Sequence, residues 1–179
     1  VLRNGRWLDM YTPVNPDRAF AGVNLAESFA DLYQKDHNVE VGLIPCADGG
    51  TSLELWAEGG LLFDHACYMA ELASRTSTIA GVLWHQGEHD AFEGNTGENY
   101  HFQFTMLINS LRERYNIPNL PFICGSFVSE WRKKNEEICA PILAALQQAA
   151  QEMQGEYVDA SDLLSNNEKN GDGDDIHFC

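Results

Sequence analysis

Four short apolar runs, each followed by polar residues, constrain the fold of this chain more than any other feature. The runs occupy residues 39–45, 79–84, 121–127 and 156–161. Runs of this length that are apolar throughout are typical of strands buried on both faces of a parallel sheet. Between them, apolar residues recur with the helical period over residues 25–33, 100–115 and 138–153, and more weakly over 63–76. The alternation predicts an α/β fold, with a mostly parallel sheet wrapped by helices on both faces.

The charge balance excludes several classes of partner. The chain has 179 residues, with 11 Lys and Arg against 27 Asp and Glu, which gives a formal net charge of −16. Nucleic acid and anionic lipid both require a cationic face, so we expect neither as a partner. No apolar run reaches the roughly 20 residues of a membrane span, and no leader pattern opens the chain. Length and the absence of repeats or linkers predict one domain over residues 1–179. The sequence contains no signal that assigns a cellular compartment.

The five cysteines form no recognisable ligand or disulfide pattern. They are Cys46, Cys67, Cys124, Cys139 and Cys179, an odd number without a C-x-x-C pair. We therefore expect most of them to be small buried hydrophobic residues.

Three polar loops follow apolar runs, at the edge where ligands bind in parallel sheets. The first, Asp48-Gly-Gly-Thr-Ser52, has paired glycines that let the backbone turn sharply and present N–H groups to an oxyanion or a phosphate. A plain strand-to-helix turn explains the same residues equally well. The loop lacks the Lys-Ser/Thr of a phosphate loop and the G-x-G-x-x-G of a dinucleotide fold, so nucleotide binding is disfavoured.

The second loop, His85-Gln-Gly-Glu-His89, matches the H-x-x-E-H pattern of inverted zinc peptidases. That pattern needs a helix, because two histidines four residues apart bind one metal only from the same helical face. Here an apolar run precedes the motif and Gly87 interrupts it. We favour a loop that directs the Gln86 amide and the Glu88 carboxylate into a cleft, over a zinc hydrolase that uses His85 and His89.

The third loop ends in Asn170-Gly-Asp-Gly-Asp-Asp-Ile-His177. Asp174 and His177 are close enough along the chain to share a hydrogen bond, which would fix the imidazole tautomer for general-base work. A solvated acidic turn and a calcium loop are the alternatives. Calcium is disfavoured because the distal Glu of an EF-hand is absent.

These loops, in this order, resemble the carbohydrate O-acetylesterases of the sialate O-acetylesterase and acetylxylan esterase type, members of the SGNH hydrolase superfamily. The resemblance is carried by Ile44-Pro-Cys-Ala-Asp-Gly-Gly-Thr-Ser-Leu53, Gly81-Val-Leu-Trp-His-Gln-Gly-Glu88 and Asp174-Asp-Ile-His-Phe178. It covers nearly all of the chain. It implies a three-layer α/β/α, flavodoxin-like SGNH-hydrolase fold, an acetylated carbohydrate as substrate, and no metal or cofactor.

The same resemblance implies roles for five residues. His177 would be the general base of a serine esterase, and either Asp174 or Glu88 would orient it. Gly50 and Gln86 would donate hydrogen bonds to the oxyanion. His89 departs from the Ser, Ala or Asn that is usual after the Glu in this family.

The nucleophile of that family is not found in this sequence. It is a serine in a Gly-Gln-Ser-Asn-Met segment at the end of the first strand, and Ser52 and Ser126 do not have this context. We therefore expect that the chain starts after the first strand and stops before the last helix, and that it is inactive by itself. Unpaired sheet edges would then favour self-association.

A non-catalytic carbohydrate-binding domain of the same fold is the alternative function. Trp56, Trp131 and Phe92 are the candidate residues for stacking on a sugar, although such rings more often pack in a core. No motif distinguishes xylan from sialic acid as the acetylated carbohydrate.

Overall fold

The computed structural model describes residues 1–19, 21–171 and 173–179. The described residues form two compact units. The first contains residues 1–49 and 61–79, and the second contains residues 50–60 and 80–179. No helix in the described ranges combines the length and the apolar character that crossing a membrane requires. The single domain expected over residues 1–179 stays a prediction.

The first unit contains a two-stranded hairpin and two helices. Its elements are β1 (Leu2–Arg3), β2 (Arg6–Trp7), α1 (Leu25–His37) and α2 (Leu61–Ala73). β1 and β2 pair antiparallel through a turn at Asn4 and Gly5, which have φ values of 48° and 70°. Asn-Gly favours this conformation in tight hairpins, although the sequence analysis does not predict the hairpin. Asn24 caps α1 by accepting hydrogen bonds from the N–H groups of Ala26 and Glu27.

The prediction of a strand over residues 39–45 is wrong. Within the described residues this segment joins no sheet, and none of its side chains is fully buried. Its Leu43 carbonyl accepts one backbone hydrogen bond, from the N–H of Leu2 at 2.8 Å. An apolar run indicates burial, but a strand also needs a neighbour that offers a continuous ladder of N–H and C=O groups.

The second unit contains the parallel sheet that the other three runs predict. Its strands are β3 (Val82–Trp84), β4 (Phe122–Gly125) and β5 (Glu156–Val158), in the order β3-β4-β5. β4 lies in the middle and pairs in parallel with both neighbours, so that Cys124 aligns with Trp84 on one side and Tyr157 on the other. The α/β class and the parallel sheet are confirmed, with strands shorter than the apolar runs.

The described part of the second unit also contains a 3-10 helix and five α-helices. They are a 3-10 helix (Leu53–Trp56), α3 (Glu88–Phe92), α4 (Gly97–Tyr115), α5 (Ser129–Lys134), α6 (Glu136–Met153) and α7 (Asn166–Asn170). The long helices α4 and α6 pack against each other, and α6 also packs on β4 and β5. They confirm the two long helical patterns, whereas α3, α5 and α7 are too short for a periodicity to reveal them.

Aromatic rings form the core of the second unit. Tyr100 and Phe104 of α4 and Phe122 of β4 are fully buried. The Phe104 ring lies 5.8 Å from Trp84 and meets Phe122 edge to face at 5.6 Å. A Cβ at Gly155 would lie 2.3 Å from Cζ of Phe122, so the ring occupies the space that a side chain at this position needs.

The five cysteines form no disulfide bonds with one another, as their irregular spacing predicts. Cys67, Cys124 and Cys139 are buried, and Cys46 and Cys179 are half-buried. Burial raises the pKa of the Cys124 thiol to about 12 and that of Cys46 to about 11. Both thiols are therefore protonated at neutral pH and behave as small hydrophobic groups.

Gly155→Ala should destabilise the second unit, because the new methyl group overlaps the buried Phe122 ring. We expect the free energy of unfolding to fall by about 1–3 kcal/mol, the usual cost of overpacking. Phe122→Leu removes the edge of the ring, so in that background the same change should cost roughly half as much or less. A double-mutant cycle measured by urea denaturation tests this coupling, and additive losses would contradict it.

Candidate active site

A glycine joins β3 to the short helix that follows it. Gly87 has a φ of 135°, and a Cβ here would lie 2.9 Å from both Cγ2 of Ile142 and Cζ of Phe127. Backbone conformation and close packing therefore both require glycine. The loop predicted over residues 85–89 extends only to Gly87, because α3 begins at Glu88.

The side-chain amide of Gln86 has partners at both ends. Its nitrogen donates to the backbone carbonyl of Thr51 at 2.9 Å and to the carboxylate of Asp90 at 2.5 Å. The buried hydroxyl of Tyr100 lies 3.0 Å from the amide oxygen and donates to it. Because Thr51 follows Gly50, these bonds place the two predicted oxyanion donors on adjoining segments. Both hydrogens of the Gln86 amide nitrogen have acceptors in the chain, so donation to an oxyanion requires one of these bonds to open.

The conformation of Gly50 explains why a glycine precedes Thr51. Its φ is 74°, in the left-handed region that glycine adopts most readily. A Cβ at this position would meet no atom within 4 Å, so the backbone conformation selects glycine and crowding does not. The role of its N–H as an oxyanion donor stays a prediction.

Asp90 is the buried centre of this region, and the sequence analysis missed it. Its carboxylate accepts from the N–H of Leu53 at 2.9 Å, from Gln86 and from the side-chain amide of Asn95 at 2.8 Å. The residue is 3% exposed, and all of these partners are uncharged amides. The only sequence feature that points to Asp90 is its position directly after the H-x-x-E-H motif. No local pattern reveals its partner Leu53, which lies 37 residues away.

His85 and Glu88 form a partly buried ion pair. Nε2 of His85 lies 2.9 Å from Oε1 of Glu88. Burial opposes the charge on each group, but their attraction and hydrogen bond outweigh it, which raises the pKa of His85 and lowers the pKa of Glu88. The pair is therefore charged over a wider pH range than the isolated groups would be.

Asp174 and His177 pair as their spacing predicts. Nδ1 of His177 lies 2.9 Å from Oδ1 of Asp174, which also accepts from the N–H groups of Ile176 and His177 at 3.1 and 2.7 Å. Partial burial raises the pKa of Asp174, but the hydrogen bonds and charge of His177 outweigh it and hold that pKa below its usual value. An ionised carboxylate can only accept hydrogen bonds, so Nδ1 carries the proton in the neutral imidazole and Nε2 has the lone pair that a base needs.

The two histidine–carboxylate pairs adjoin each other in the second unit. The rings of His85 and Phe178 lie 5.5 Å apart in an edge-to-face arrangement. The imidazole of His177 also contributes to the lowered pKa of Glu88, after burial, which opposes it, and the larger effects of His85. The loop after β3 and the loop that carries His177 therefore meet, as expected for loops at one edge of a parallel sheet.

The two histidines of the H-x-x-E-H motif have different partners. His85 pairs with Glu88, whereas Nε2 of His89 lies 3.9 Å from the exposed carboxylate of Glu93. Within the described ranges, no group of three or more His, Cys, Asp or Glu side chains is arranged to hold a metal ion. Asp172, in the acidic run before His177, lies outside the described residues.

The structure places the two serines that were weighed as nucleophiles, Ser126 directly after Gly125 and Ser52 two residues after Gly50. Ser126, directly after β4, is buried, and its hydroxyl lies 3.4 Å from Asp159 and accepts from the N–H of Ala160 at 2.8 Å. Ser52 precedes the 3-10 helix, and its side chain does not cap it. The contacts of Ser126 fit a serine that stabilises a loop.

Two of the three aromatic residues considered for sugar stacking are buried. Trp56 donates its indole N–H to the hydroxyl of Thr51 at 3.1 Å, and Trp131 packs edge to face on Phe127 at 5.5 Å. Phe92 is exposed and contacts Trp131 at 5.2 Å. Buried rings offer no face to a sugar, so Phe92 alone of the three is available at the surface.

Known proteins resemble this chain in sequence and in fold. A family model described as SASA, carbohydrate esterase, sialic acid-specific acetylesterase, matches residues 2–178. A probable carbohydrate esterase of Arabidopsis thaliana, At4g34215, is 31% identical over 125 residues, which are 66% of this chain and 48% of that protein. The match therefore spans about half the length of that curated relative.

Two solved structures share the fold. The X-ray structure of the Arabidopsis thaliana protein AT4G34215 has a TM-score of 0.75 and 26% identity, covering 96% of this chain and 69% of that chain. XAC1771, a carbohydrate acetylesterase from Xanthomonas citri, has a TM-score of 0.62 and 21% identity, covering 82% of this chain and 37% of that chain. At that identity the second match shows a common fold.

Glu88→Gln should reduce stability in a pH-dependent way. The raised pKa of His85 contributes stability below its ordinary value of 6.5, and this is lost as pH rises through the raised pKa. The lowered pKa of Glu88 contributes stability above its ordinary value of 4.5, and this is lost as pH falls through the lowered pKa. The loss of unfolding free energy should therefore be largest, about 2 kcal/mol, between these two values and smaller at alkaline pH.

Glu93→Gln is the matched control, because its carboxylate is exposed and lies 3.9 Å from His89. Urea unfolding of both variants and the unmodified chain at about pH 5.5 and about pH 8.5 measures the difference. A loss for Glu88→Gln that does not change with pH would contradict the ion pair.

Proposed function

Because the chain belongs to the carbohydrate esterase family described as sialic acid-specific acetylesterase, we propose that it forms the histidine and oxyanion part of a serine esterase that removes O-acetyl groups from carbohydrates. The observation that carries the proposal is the hydrogen bond of 2.9 Å between Asp174 and His177, next to the loop after β3. Acetylated xylan and acetylated sialic acid are both candidate substrates.

In the proposed reaction, His177 moves the proton. A serine hydroxyl attacks the acetyl carbonyl, its oxygen bonds to the carbonyl carbon, and its proton passes to Nε2 of His177. When the tetrahedral intermediate collapses, the bond to the sugar oxygen breaks and His177 protonates that oxygen. Water then attacks the acetyl-serine in the same way and releases acetate. The ionised carboxylate of Asp174 stabilises the imidazolium in each half of the reaction.

Asp174 is the better-supported choice for the orienting acid. Its Oδ1 accepts the Nδ1–H of His177, whereas Oε1 of Glu88 accepts from His85. We assign to Glu88 the role of a fixed negative charge near His177, held in place by its own histidine. Asp174→Asn would reverse the hydrogen bond to Nδ1 and so favour the unproductive tautomer.

We assign stabilisation of the oxyanion to the backbone N–H of Gly50 and the amide of Gln86. The hydrogen bond from Gln86 to the Thr51 carbonyl supports this pairing, because it places both segments together. In this proposal a substrate oxyanion replaces the Thr51 carbonyl as acceptor, while Asp90 continues to orient the amide. One such donor lowers an acyl-transfer barrier by roughly 3–4 kcal/mol.

We propose that the serine nucleophile comes from sequence outside these 179 residues. Ser126 supports this, because its buried hydroxyl is engaged with Asp159 and Ala160, away from any recorded histidine partner. The chain's match to about half of its curated relative is consistent with a longer active enzyme.

The 179-residue chain should show negligible turnover of p-nitrophenyl acetate or acetylated xylose. Without the nucleophile, the remaining groups would exceed the reaction in water by about 10³- to 10⁴-fold at most. Extending the chain with an N-terminal strand that ends in Gly-Gln-Ser-Asn should restore activity, measured as acetate release.

In the extended chain, His177→Ala and Asp174→Asn should each lower kcat by roughly 10³-fold or more. His101→Ala is the matched control, because its ring pairs with Glu152 outside the proposed site, and it should leave kcat unchanged. Strong activity of the 179 residues that is lost on changing Ser52 or Ser126 to Ala would overturn the placement of the nucleophile. Sugar binding without hydrolysis by the extended chain would favour the carbohydrate-binding alternative.

A further inference from the structure

The loop that carries His177 has little apolar burial. Among the described residues of 161–179, Ser165 alone is fully buried, and Leu163 and Leu164 are exposed. Burial of apolar area therefore contributes little to holding this loop in place. Beside the contact of the Phe178 ring with His85, polar contacts with the rest of the second unit therefore hold this loop in place.

Glu130 of α5 provides two such contacts and also accepts a hydrogen bond from Lys134 within α5. Its Oε1 accepts hydrogen bonds from the side-chain amide of Asn167 and from the ammonium of Lys134, both at 2.8 Å. Its Oε2 accepts from the hydroxyl of Ser165 at 2.5 Å. The hydrogen bonds from Lys134 and Ser165 are the main causes that lower the pKa of Glu130 to about 2. The carboxylate therefore remains an ionised acceptor across the neutral range.

Two connections lead from Glu130 to the acidic residues before His177. Asn167 donates its side chain to Glu130 and its backbone N–H to the carbonyl of Asp174 at 2.9 Å. Lys134 donates to Glu130 and also to the carboxylate of Asp175 at 2.8 Å. Glu130 is thus connected to both Asp174 and Asp175 through one intervening residue each.

The start of α7 makes the contact with Glu130 specific. Ser165 and Glu168 form a capping box, in which the Ser165 hydroxyl accepts from the Glu168 N–H at 2.9 Å and the Glu168 carboxylate accepts from the Ser165 N–H at 3.1 Å. Exposed ion pairs usually contribute little because water screens them. The Glu130 side chain differs, since it is 15% exposed and one of its three donors comes from a fully buried residue.

We propose that Glu130 is a positioning residue for His177, which holds the Asp174–His177 pair against the second unit through Asn167 and Lys134. The consequence for catalysis rests on the proposed function. The positional effect itself does not, and it can be measured in the 179-residue chain without any esterase activity.

Amide hydrogen exchange of Glu130→Gln and Lys134→Met tests the proposal. The N–H of His177 donates to Asp174 and that of Asn167 donates to the Asp174 carbonyl, so their exchange rates report on this loop. In Glu130→Gln both amides should exchange roughly tenfold faster, because the loop opens locally more often. Lys134→Met should accelerate exchange of the His177 amide and leave the exchange rate of the Asn167 amide closer to its original value. The core amides of Ile123 and Leu146 should not change.

Glu137→Gln is the matched control, because Glu137 is exposed and its side chain has no recorded hydrogen bond or ion pair with the described residues. Long-range ¹H–¹⁵N spectra of the His177 ring give a second readout. The Nδ1-protonated tautomer should dominate in the unmodified chain and in the control, and should give way to a mixture of tautomers in Glu130→Gln.

Unchanged exchange and an unchanged tautomer in Glu130→Gln would overturn the proposal. Equal acceleration of loop and core amides in both variants would also overturn it, because these residues would then act on the stability of the whole unit. In an active, extended enzyme, Glu130→Gln should lower kcat with little change in KM. If the esterase function fails, the exchange and tautomer results still decide whether Glu130 positions His177.

Discussion

The buried carboxylate of Asp90 holds the loop after β3 in place. It accepts hydrogen bonds from the N–H of Leu53 and from the amides of Gln86 and Asn95, on three separate segments of the second unit. A buried carboxylate without donors is costly, and so is a buried donor without an acceptor, so each of these groups depends on the others. The orientation of the Gln86 amide follows from this arrangement. So does the turn before the 3-10 helix, since the same amide binds the carbonyl of Thr51.

The two sides of the proposed site are held by different physical forces. The loop after β3 is held by buried contacts, namely the hydrogen bonds of Asp90 and the close packing of Gly87 against Ile142 and Phe127. The loop of His177 is held at the surface by its polar contacts with Glu130, and little buried apolar area stabilises it. Loops of the second kind open locally with a smaller free energy than the core around them. A site with one rigid side and one side that opens would let the proposed carbohydrate substrate enter while the proposed oxyanion donors stay in place.

The features that the sequence predicted correctly are local or periodic. Three apolar runs form strands and two long periodic patterns form helices. The spacing of apolar residues along the chain shows whether one face or both faces of such an element are buried. The Asp174–His177 pair was predictable for the same reason, as only two residues separate the partners. The strand over residues 39–45 failed because apolarity does not encode a pairing partner. The roles of Asp90 and Glu130 were missed because their partners lie 37 residues away in each case, at Leu53 and Asn167.

The chain contains two histidine–carboxylate pairs with the same spacing and the same distance of 2.9 Å, and their exposure separates their roles. The side chains of His177 and Asp174 are 62% and 47% exposed, whereas those of His85 and Glu88 are 28% and 18% exposed. His85 also uses Nε2 to bind its carboxylate, while His177 uses Nδ1. A general base must accept a proton from a group that arrives from solvent, which an exposed ring bound through Nδ1 can do. The less exposed pair suits the role proposed for the Glu88 carboxylate, a charge held near His177 by its own histidine.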